Sequence, residues 1–399
     1  MANILFLAHR IPYPPNKGDK IRSWNFLKEL AKEHTVHLGF FIDNPDDEVH
    51  VSFLESHTAS LCYETVKPFK QKLLSLRSFL TNDALTVGAY PYGKLKKYVR
   101  SLVKKKEIDL IFLFSAATGP IVPNDIDIPV ITDLVDVDSA KWGAYAENAP
   151  FPMSWVYARE GKLLAHYERN LADRSKMAYL VSDQEAAVFK KDFKRSTTPV
   201  RGLKNGVDIE LFSPAQNRDA QKIIIFTGAM DYKPNVEAVI WFVEKVWEGV
   251  RIAEPSAKFV VAGGPENPVV RKLEGYEGVE VTGYVDSMPE MLQSADIAVA
   301  PLLTARGIQN KVLEAMACAL PVVASTAANE GIEAEHGKTV YVGDTAADFK
   351  MHLLTLLEKP ALRELVGQRA RQFVETEFSW DSACKQLNQD ITKVLADAR

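Results

Sequence analysis

The sequence predicts an α/β protein of two Rossmann-like domains, each built on its own parallel sheet. The chain of 399 residues is long enough for about two domains. Short apolar runs that suit buried parallel strands alternate with helical patterns in both halves. A polar stretch near the middle interrupts this alternation, which then begins again. We therefore place a first domain at 1–205, a linker at 206–220, a second domain at 221–377 and a last helix at 378–399.

Composition excludes several classes of protein. Hydrophobic residues make up 47% and charged residues 25% of the chain, as in ordinary globular proteins. The net charge of −4 gives no global signal for nucleic acid. Three scattered cysteines have neither metal-ligand spacing nor a disulfide pattern, which fits a reducing cytoplasm. The first residues resemble a strand and not a signal peptide, and no apolar run reaches the roughly 18 residues of a membrane span.

The chain is predicted to begin with a strand, a proline-rich loop, a helix and a second strand. The strands are expected at Asn3 to Ala8 and Val36 to Phe41, and the helix at Lys20 to Lys32 with Asp19 as its cap. The loop lacks the Gly-x-Gly-x-x-Gly of a dinucleotide site, so NAD is not expected. We expect no other cofactor. Polar side chains gather in and beside this loop and suit contact with an anion or an acceptor. They are His9, Arg10, Lys17, Asp19 and Arg22.

The stretch from Lys67 to Lys106 is strongly basic, with leucine, phenylalanine and tyrosine interleaved. Basic amphipathic segments can lie on an anionic membrane surface. The same pattern also fits two solvated helices packed on a sheet. The sequence leaves both interpretations open.

Two acids follow the strand predicted at Val130 to Thr132. Asp136-Val137-Asp138 has the form of an Asp-x-Asp motif that can hold a metal with a nucleotide diphosphate, but two residues are a weak signal. We expect no metal. Asp136 and Asp138 are candidates to orient hydroxyl groups or to act as a base, and a helix cap is the structural alternative for one of them.

The second half carries glycines where its predicted strands end. The strand Lys222 to Thr227 runs into Gly228, Phe259 to Ala262 into Gly263, and Val279 to Thr282 into Gly283. Ligands of α/β proteins bind in the loops at the carboxyl ends of parallel strands. We therefore expect these loops to bind a ligand.

One further stretch of the second half reads as strand, loop, helix and strand. The strand at Asp296 to Ala300 leads to Gly307, and a helix follows from about Gln309 to Ala319. The free N–H groups at a helix start favour a phosphate. Lys311 lies in the first turn, and Glu314 is three residues further along the same face.

This stretch resembles the donor site of the retaining GT-B glycosyltransferases of family four. Their usual form is Glu, then Gly-Phe-Gly, then Leu-Glu-Ala-Met-Ala-x-Gly-x-Pro-Val-Val. Glu314 matches the second glutamate, which in the family holds the ribose hydroxyls. The position of the first is taken by Arg306, and Gly307-Ile308-Gln309 replaces Gly-Phe-Gly. The resemblance covers nearly the whole chain and implies a GT-B fold: two Rossmann-like domains facing a cleft, with a C-terminal helix that crosses back to the first.

The resemblance also assigns roles outside this stretch. Gly18 matches a family glycine that approaches the donor phosphates, and Lys233 matches a lysine that binds the diphosphate. The family arginine after Gly228 is missing here. Our hypothesis is that Arg306 and Lys311 supply the missing positive charge. Acids stand at Asp136 and Asp138 where many relatives have a histidine beside the transferred sugar.

Three segments, 12–22, 136–142 and 307–317, together resemble a narrower branch of sugar transferases associated with exopolysaccharide loci and the PEP-CTERM/exosortase system. The function implied is metal-independent transfer of a hexose, with retention, from a nucleotide-diphosphate sugar to a glycan or lipid-linked acceptor. Such an enzyme would work in the cytoplasm, with the inner face of the membrane as a candidate partner and no nucleic acid. A nucleotide-sugar epimerase of the same fold and a non-catalytic nucleotide-sugar-binding protein remain as alternatives.

Overall fold

The computed structural model describes residues 1–193, 196–216, 221–305 and 307–398. The chain divides into two compact units. Unit 1 holds Met1–Lys204 and Cys384–Arg399, and unit 2 holds Asn205–Ala383. The helix Trp380–Asp397 therefore begins in unit 2 and continues in unit 1.

Unit 1 is built on a parallel sheet of seven strands among its described residues, in the order β3-β2-β1-β4-β5-β6-β7. The strands are β1 Asn3–Ala8, β2 Thr35–Ile42, β3 Ser60–Thr65, β4 Leu110–Phe114, β5 Val130–Val135, β6 Met177–Leu180 and β7 Val200–Gly202. The helices are α1 Gly18–Glu33, α2 Val51–Glu55, α3 Pro68–Thr81, α4 Leu85–Gly88, α5 Gly93–Lys104, α6 Asp138–Asn148, α7 Met153–Asp173 and α8 Asp183–Asp192. Short 3₁₀ turns at Pro45–His50 and Ala116–Ile121 complete it.

Unit 2 repeats the plan with six parallel strands among its described residues, in the order β10-β9-β8-β11-β12-β13. The strands are β8 Ile223–Thr227, β9 Lys258–Ala262, β10 Val279–Gly283, β11 Ile297–Ala300, β12 Val322–Ala324 and β13 Tyr341–Val342. The helices are α9 Lys233–Phe242, α10 Glu248–Ala253, α11 Pro268–Arg271, α12 Met288–Gln293, α13 Asn310–Ala317, α14 Thr326–Asn329, α15 Ala346–Glu358 and α16 Pro360–Glu377. The last helix, α17 Trp380–Asp397, begins in unit 2 and continues in unit 1. Each unit has its own apolar core.

The strands explain why the sheets are parallel and covered on both faces. Every residue of β4 and β11 is buried, so these strands are continuous apolar runs without alternation. In both units the chain returns through helices, as parallel pairing requires. The predicted α/β class with two Rossmann-like halves is confirmed.

The described part of the predicted linker, 206–216, is hydrogen-bonded to unit 2: the Gln293 amide donates to the carbonyl oxygen of Ser213 at 2.8 Å and Arg371 donates to that of Phe212 at 2.7 Å. The structure corrects one detail of the sequence prediction. Asp19 does not cap α1, since the helix begins at Gly18 and its N-cap Lys17 makes no side-chain capping bond. In the described part of the chain, no helix combines the length and apolar character needed to cross a membrane.

Candidate functional site

The carboxyl ends of β8 and β9 meet in unit 2 through two glycines. A Cβ added at Gly263 would collide with the carbonyl oxygen of Gly228, so the two loops pack backbone against backbone. Gly263 has φ +128°, which side-chain-bearing residues rarely adopt. These strands are neighbours in the sheet, and β11 lies on the other side of β8. Both glycines are therefore required by packing within unit 2, because the space that a side chain would take at Gly228 is filled by Asn235 and Lys311.

The amine of Lys311 lies against this glycine loop. It donates to Oδ1 of Asn235, lies 4.5 Å from the ring centroid of Phe226, and would be 2.9 Å from a Cβ at Gly228. Burial lowers the pKa of Lys311 to about 7, against the opposing effect of Glu314. An anionic ligand would restore the charged form, because a nearby negative charge favours an ammonium group.

Asn235 connects this lysine to the loop and was not singled out from the sequence. Its amide also donates to the carbonyl oxygen of Ala229 at 2.8 Å, and the residue is 5% exposed. It is the third residue of α9, directly beyond β8. Its position in the first turn of a helix that follows a strand could have marked Asn235 as a candidate from the sequence. Its contact with Lys311, 76 residues away along the chain, could not have been predicted.

Glu314 lies on the same helix, α13, and is partly buried. Burial raises the pKa of its carboxyl group to about 7, and Lys311 opposes this rise. No described residue donates a hydrogen bond to this carboxylate. Because a buried carboxylate is stable only when its oxygens are hydrogen-bonded, the arrangement suits hydroxyl or N–H groups of a ligand.

The start of α13 offers further polar groups. Gly307 has φ +66°, and a Cβ at Gly331 would lie 2.5 Å from its carbonyl oxygen, so this turn is tightly packed. Ile308 and Gln309 lead into the helix, with Gln309 as an N-cap that makes no side-chain capping bond. The buried Oδ1 of Asn310 has no hydrogen-bond partner among the described residues. Arg306 lies outside the described residues.

Two other donor-side candidates are Lys233 and Gly283, and the carbonyl oxygen of Gly283 accepts a hydrogen bond from the backbone N–H of Gly263 at 2.9 Å. The side chain of Lys233 is 83% exposed and pairs with Glu237 at 3.5 Å, one turn along α9. Gly283 ends β10 with φ +69°, and a Cβ there would lie 3.6 Å from the side chain of Glu266. Their predicted contact with a donor stays a prediction.

The loop after β1 in unit 1 forms an ion-pair network. His9 and Arg10 both contact the carboxylate of Asp19, at 3.2 and 2.6 Å, and Arg10 also pairs with Asp43 at 2.8 Å. Burial opposes ionisation of Asp19, but the hydrogen bond from His9 and the charges of His9 and Arg10 outweigh it and lower its pKa. The buried Nδ1 of His9 has no hydrogen-bond partner among the described residues. The sequence missed the part played by Asp43.

The remaining candidates near the β1 loop differ in exposure. Lys17, an acceptor-side candidate, and Gly18, whose predicted contact is with the donor phosphates, are both exposed at the start of α1. Arg22 is fully buried, and its guanidinium donates to Asp133 at 2.7 and 3.1 Å and to the carbonyl oxygen of Leu203 at 2.7 Å. Arg22 therefore links α1 to β5 and to the chain at Leu203, and its guanidinium N–H groups donate to partners inside unit 1.

Asp136 and Asp138 are brought together by Lys141. Its amine lies 2.7 Å from Asp136 and 3.0 Å from Asp138. Burial disfavours the charged amine, but the carboxylates of Asp138 and Asp136 outweigh it and raise the pKa of Lys141. Neither acid caps α6, because its N-cap is Val137, without a side-chain capping bond. The spacing of three from Asp138 to Lys141 was the signal that could have predicted this pair.

The residues of this site lie in a part of the chain that is similar to known proteins. Residues 221–359, which include Gly228, Asn235, Lys311 and Glu314, match the family model described as Glycosyl transferases group 1. An "Uncharacterized 44.6 kDa protein in cps region" of Klebsiella pneumoniae is 23% identical over 394 residues, covering 95% of this chain and 97% of that protein.

A second relative and a solved structure have named activities or ligands. A "GDP-mannose-dependent monoacylated alpha-(1-6)-phosphatidylinositol monomannoside mannosyltransferase" of Corynebacterium glutamicum is 28% identical over 214 residues, which is 48% of this chain and 55% of that one. The structure of Anabaena Alr3699/HepE in complex with UDP and glucose superimposes with a TM-score of 0.66 at 15% identity, covering 98% and 100% of the two chains. This likeness shows the fold, which is GT-B. Residues 221–359 thus carry a glycosyl transferases group 1 domain on a GT-B fold, and the relatives indicate a glycosyltransferase.

Proposed function

We propose that this protein transfers a hexose, with retention and without a metal ion, from a nucleotide-diphosphate sugar to a glycan or lipid-linked acceptor. The observation that carries the proposal is a pair of ionisable groups on α13. Both residues are partly buried: the carboxylate of Glu314 has no described hydrogen-bond donor, and the amine of Lys311 lies beside a glycine loop with a neutral amide as its described hydrogen-bond partner. A nucleotide diphosphate offers hydroxyls to the first and negative charge to the second.

In this proposal Glu314 accepts hydrogen bonds from the two ribose hydroxyls. Its distance along α13 from Lys311, three residues, corresponds to about one turn. Lys311 then meets the diphosphate next to Gly228, where an added side chain would collide with Asn235 and with Lys311 itself. The unpartnered Oδ1 of Asn310 would accept from a further hydroxyl of the donor.

The chemistry depends on the leaving group more than on a strong base. Breaking the anomeric carbon–oxygen bond places negative charge on the diphosphate. Fixed donors and cations that are already aimed at this charge lower the barrier without reorganisation. Lys311 supplies one such charge, and we expect Arg306 to supply a second.

The acceptor side is assigned to unit 1. Asp136 and Asp138 are proposed to orient acceptor hydroxyls, with Lys141 fixing both carboxylates. His9, Arg10, Asp19 and Lys17 surround the loop after β1 and would contact an anionic or hydroxylated group. An exopolysaccharide role follows the narrower sequence resemblance and the cps-region relative of similar length.

A weak contact with anionic membrane is part of the same proposal. Lys104, Lys105 and Lys106 are exposed at the end of α5, and the ring of Phe69 on α3 is 79% exposed. Each lysine near an anionic surface contributes about 1 kcal/mol. The side chains of Lys70 and Lys72, which belong to the same basic stretch, lie outside the described part.

The test is a transfer assay with labelled UDP-, GDP-, TDP- and ADP-sugars, each with and without a lipid-linked glycan acceptor and with EDTA. We expect one donor class to support acceptor-dependent transfer that survives EDTA, with the anomeric configuration retained by NMR. Interconversion of the donor sugar without acceptor would support an epimerase instead. Donor binding without turnover under every condition would support the alternative of a non-catalytic nucleotide-sugar-binding protein. Loss of transfer in EDTA with recovery in Mn²⁺ would contradict metal independence.

A further inference from the structure

Unit 1 contains a large groove that the proposed reaction does not use. It lies between α5 and α7, above the 3₁₀ turn Ala116–Ile121, and has a volume of about 590 Å³. This is within the range of about 300–1,000 Å³ that is typical of ligand sites. None of the candidate residues of the β1 loop or of the Asp136–Asp138 segment lines it.

Basic side chains line this groove from both helices. Lys96 and Arg100 are one turn apart on α5, and His166 and Arg174 come from α7 and its C-terminal cap. Among the described residues, Lys96, Arg100 and Arg174 form no ion pair. The single carboxylate among the lining residues is that of Asp83. The groove therefore carries positive charge that no described partner neutralises.

A tyrosine adds an unused hydrogen-bond donor to the groove wall. The hydroxyl of Tyr167 makes no hydrogen bond with a described residue, and it occupies the space that a side chain at Gly119 would fill. The neighbouring hydroxyl of Tyr92 differs, because it donates to the carbonyl oxygens of Val87 and Ala117. Burial raises the pKa of Tyr167, so its hydroxyl keeps its proton and acts as a donor.

We propose that this groove binds an anionic saccharide, a glycan with carboxylate or phosphate groups along its chain. Separated cations would pair with successive acidic groups, while Tyr167 and the amide of Asn170 would meet hydroxyls. Apolar walls at Val122 and Leu163 fit the faces of sugar rings. A flat membrane surface fits less well, since the amine of Lys96 lies over the ring of Tyr92, at 5.6 Å from its centroid, inside a concave site.

The test is calorimetric titration of the full chain with a tetrasaccharide of alternating glucuronate and N-acetylglucosamine, beside neutral maltotetraose. We expect the acidic tetrasaccharide to bind, with affinity that falls as salt rises, and maltotetraose not to bind. Arg100→Glu and Arg174→Glu should each weaken binding about tenfold or more, and Tyr167→Phe several-fold. Lys162→Glu is the matched control, because Lys162 is exposed on α7 but does not line the groove.

Three results would overturn the proposal. Equal binding of both tetrasaccharides would remove the need for charge. Equal weakening by Lys162→Glu and Arg100→Glu would mean diffuse attraction without a site. Tighter binding of inorganic pyrophosphate or of phosphatidylglycerol vesicles, lost in the same variants, would assign the groove to free phosphate or to membrane. Circular dichroism checks that each variant is folded, and unchanged UDP binding separates this proposal from that for the donor site.

Discussion

The polar groups at the strand ends are satisfied differently in the two units. In unit 1, Arg10 lies between Asp19 and Asp43, and Lys141 between Asp136 and Asp138. In unit 2, the Lys311 amine has a neutral amide as its described hydrogen-bond partner. Glu314 favours the charged form of this amine, but no carboxylate is hydrogen-bonded to it in the described part of the chain. A partly buried charge with so little compensation destabilises a fold, and such a group is usually kept for function. The difference indicates that the Lys311 site of unit 2 is completed by an anion, while the ion pairs of Arg10 and Lys141 in unit 1 are already balanced.

The largest expected effect is on Lys311. Lys311→Ala should lower single-turnover transfer about 10²- to 10³-fold, as loss of one preorganised charge or donor at a reacting centre does. Donor affinity should fall less, because the lost interaction is stronger in the transition state. Lys245→Ala is the matched control, since Lys245 is an exposed lysine of unit 2, in the segment Val243–Trp247, and is not a candidate for donor contact. An equal loss of transfer in the two variants would mean that Lys311 has no catalytic role arising from its position beside Gly228.

Glu314 should affect binding more than turnover. A charged hydrogen bond contributes roughly 1.5–3 kcal/mol, so Glu314→Ala should weaken binding of the nucleoside diphosphate and of its donor sugar alike by about ten- to a hundredfold. Calorimetric titration of the nucleotide measures this directly. Glu280→Ala, an exposed acid on β10, serves as the control. Wild-type affinity in Glu314→Ala would reduce α13 to a packing helix and remove the basis of the donor site.

The lowered pKa of Lys311 gives nucleotide binding a pH dependence. The free protein has this pKa at about 7, and a bound diphosphate would raise it, so binding takes up a proton above pH 7. The affinity for the nucleoside diphosphate should therefore fall with rising pH above 7, by at most about tenfold per pH unit. Lys311→Gln should flatten the profile between pH 7 and 9, where the phosphates are already ionised. A wild-type profile without any slope there would contradict proton uptake by Lys311.

The sequence predicted the strands and helices of the two units better than the contacts between side chains that are far apart along the chain. The run at β11 and the Gly307–Glu314 spacing were local, so the strand, the turn and α13 appeared within one or two residues of their predicted bounds. Asn235 and Lys311 are 76 residues apart, and Arg22 and Asp133 are 111 apart. Such contacts depend on strand order, which periodicity does not specify. Asp19 shows that local prediction also has limits, because α1 begins at Gly18, two residues earlier than a cap at Asp19 would require.

The smallest expected effect concerns the balanced acids of unit 1. Asp138 is 37% exposed and shares Lys141 with Asp136, and partly exposed ion pairs contribute about 0–1 kcal/mol. Asp138→Asn should therefore leave stability within about 1 kcal/mol and UDP affinity unchanged. The amide keeps an oxygen for Lys141, so a residue that orients hydroxyls should lose less than about tenfold in turnover. Asp136→Asn is the partner variant with the same expectation.

A larger loss would change the role of this pair and break the contrast between the units. Proton transfer by a positioned base contributes about 10²- to 10⁴-fold, and an asparagine cannot replace it. A drop of that size in Asp138→Asn, with normal UDP binding, would make Asp138 a base and not an orienting group. The pH profile of turnover then distinguishes the cases, because loss of a base removes its acidic limb and loss of an orienting group does not. If the loss of turnover is as modest as we expect, the charged group that contributes most to the rate is Lys311, on α13 of unit 2.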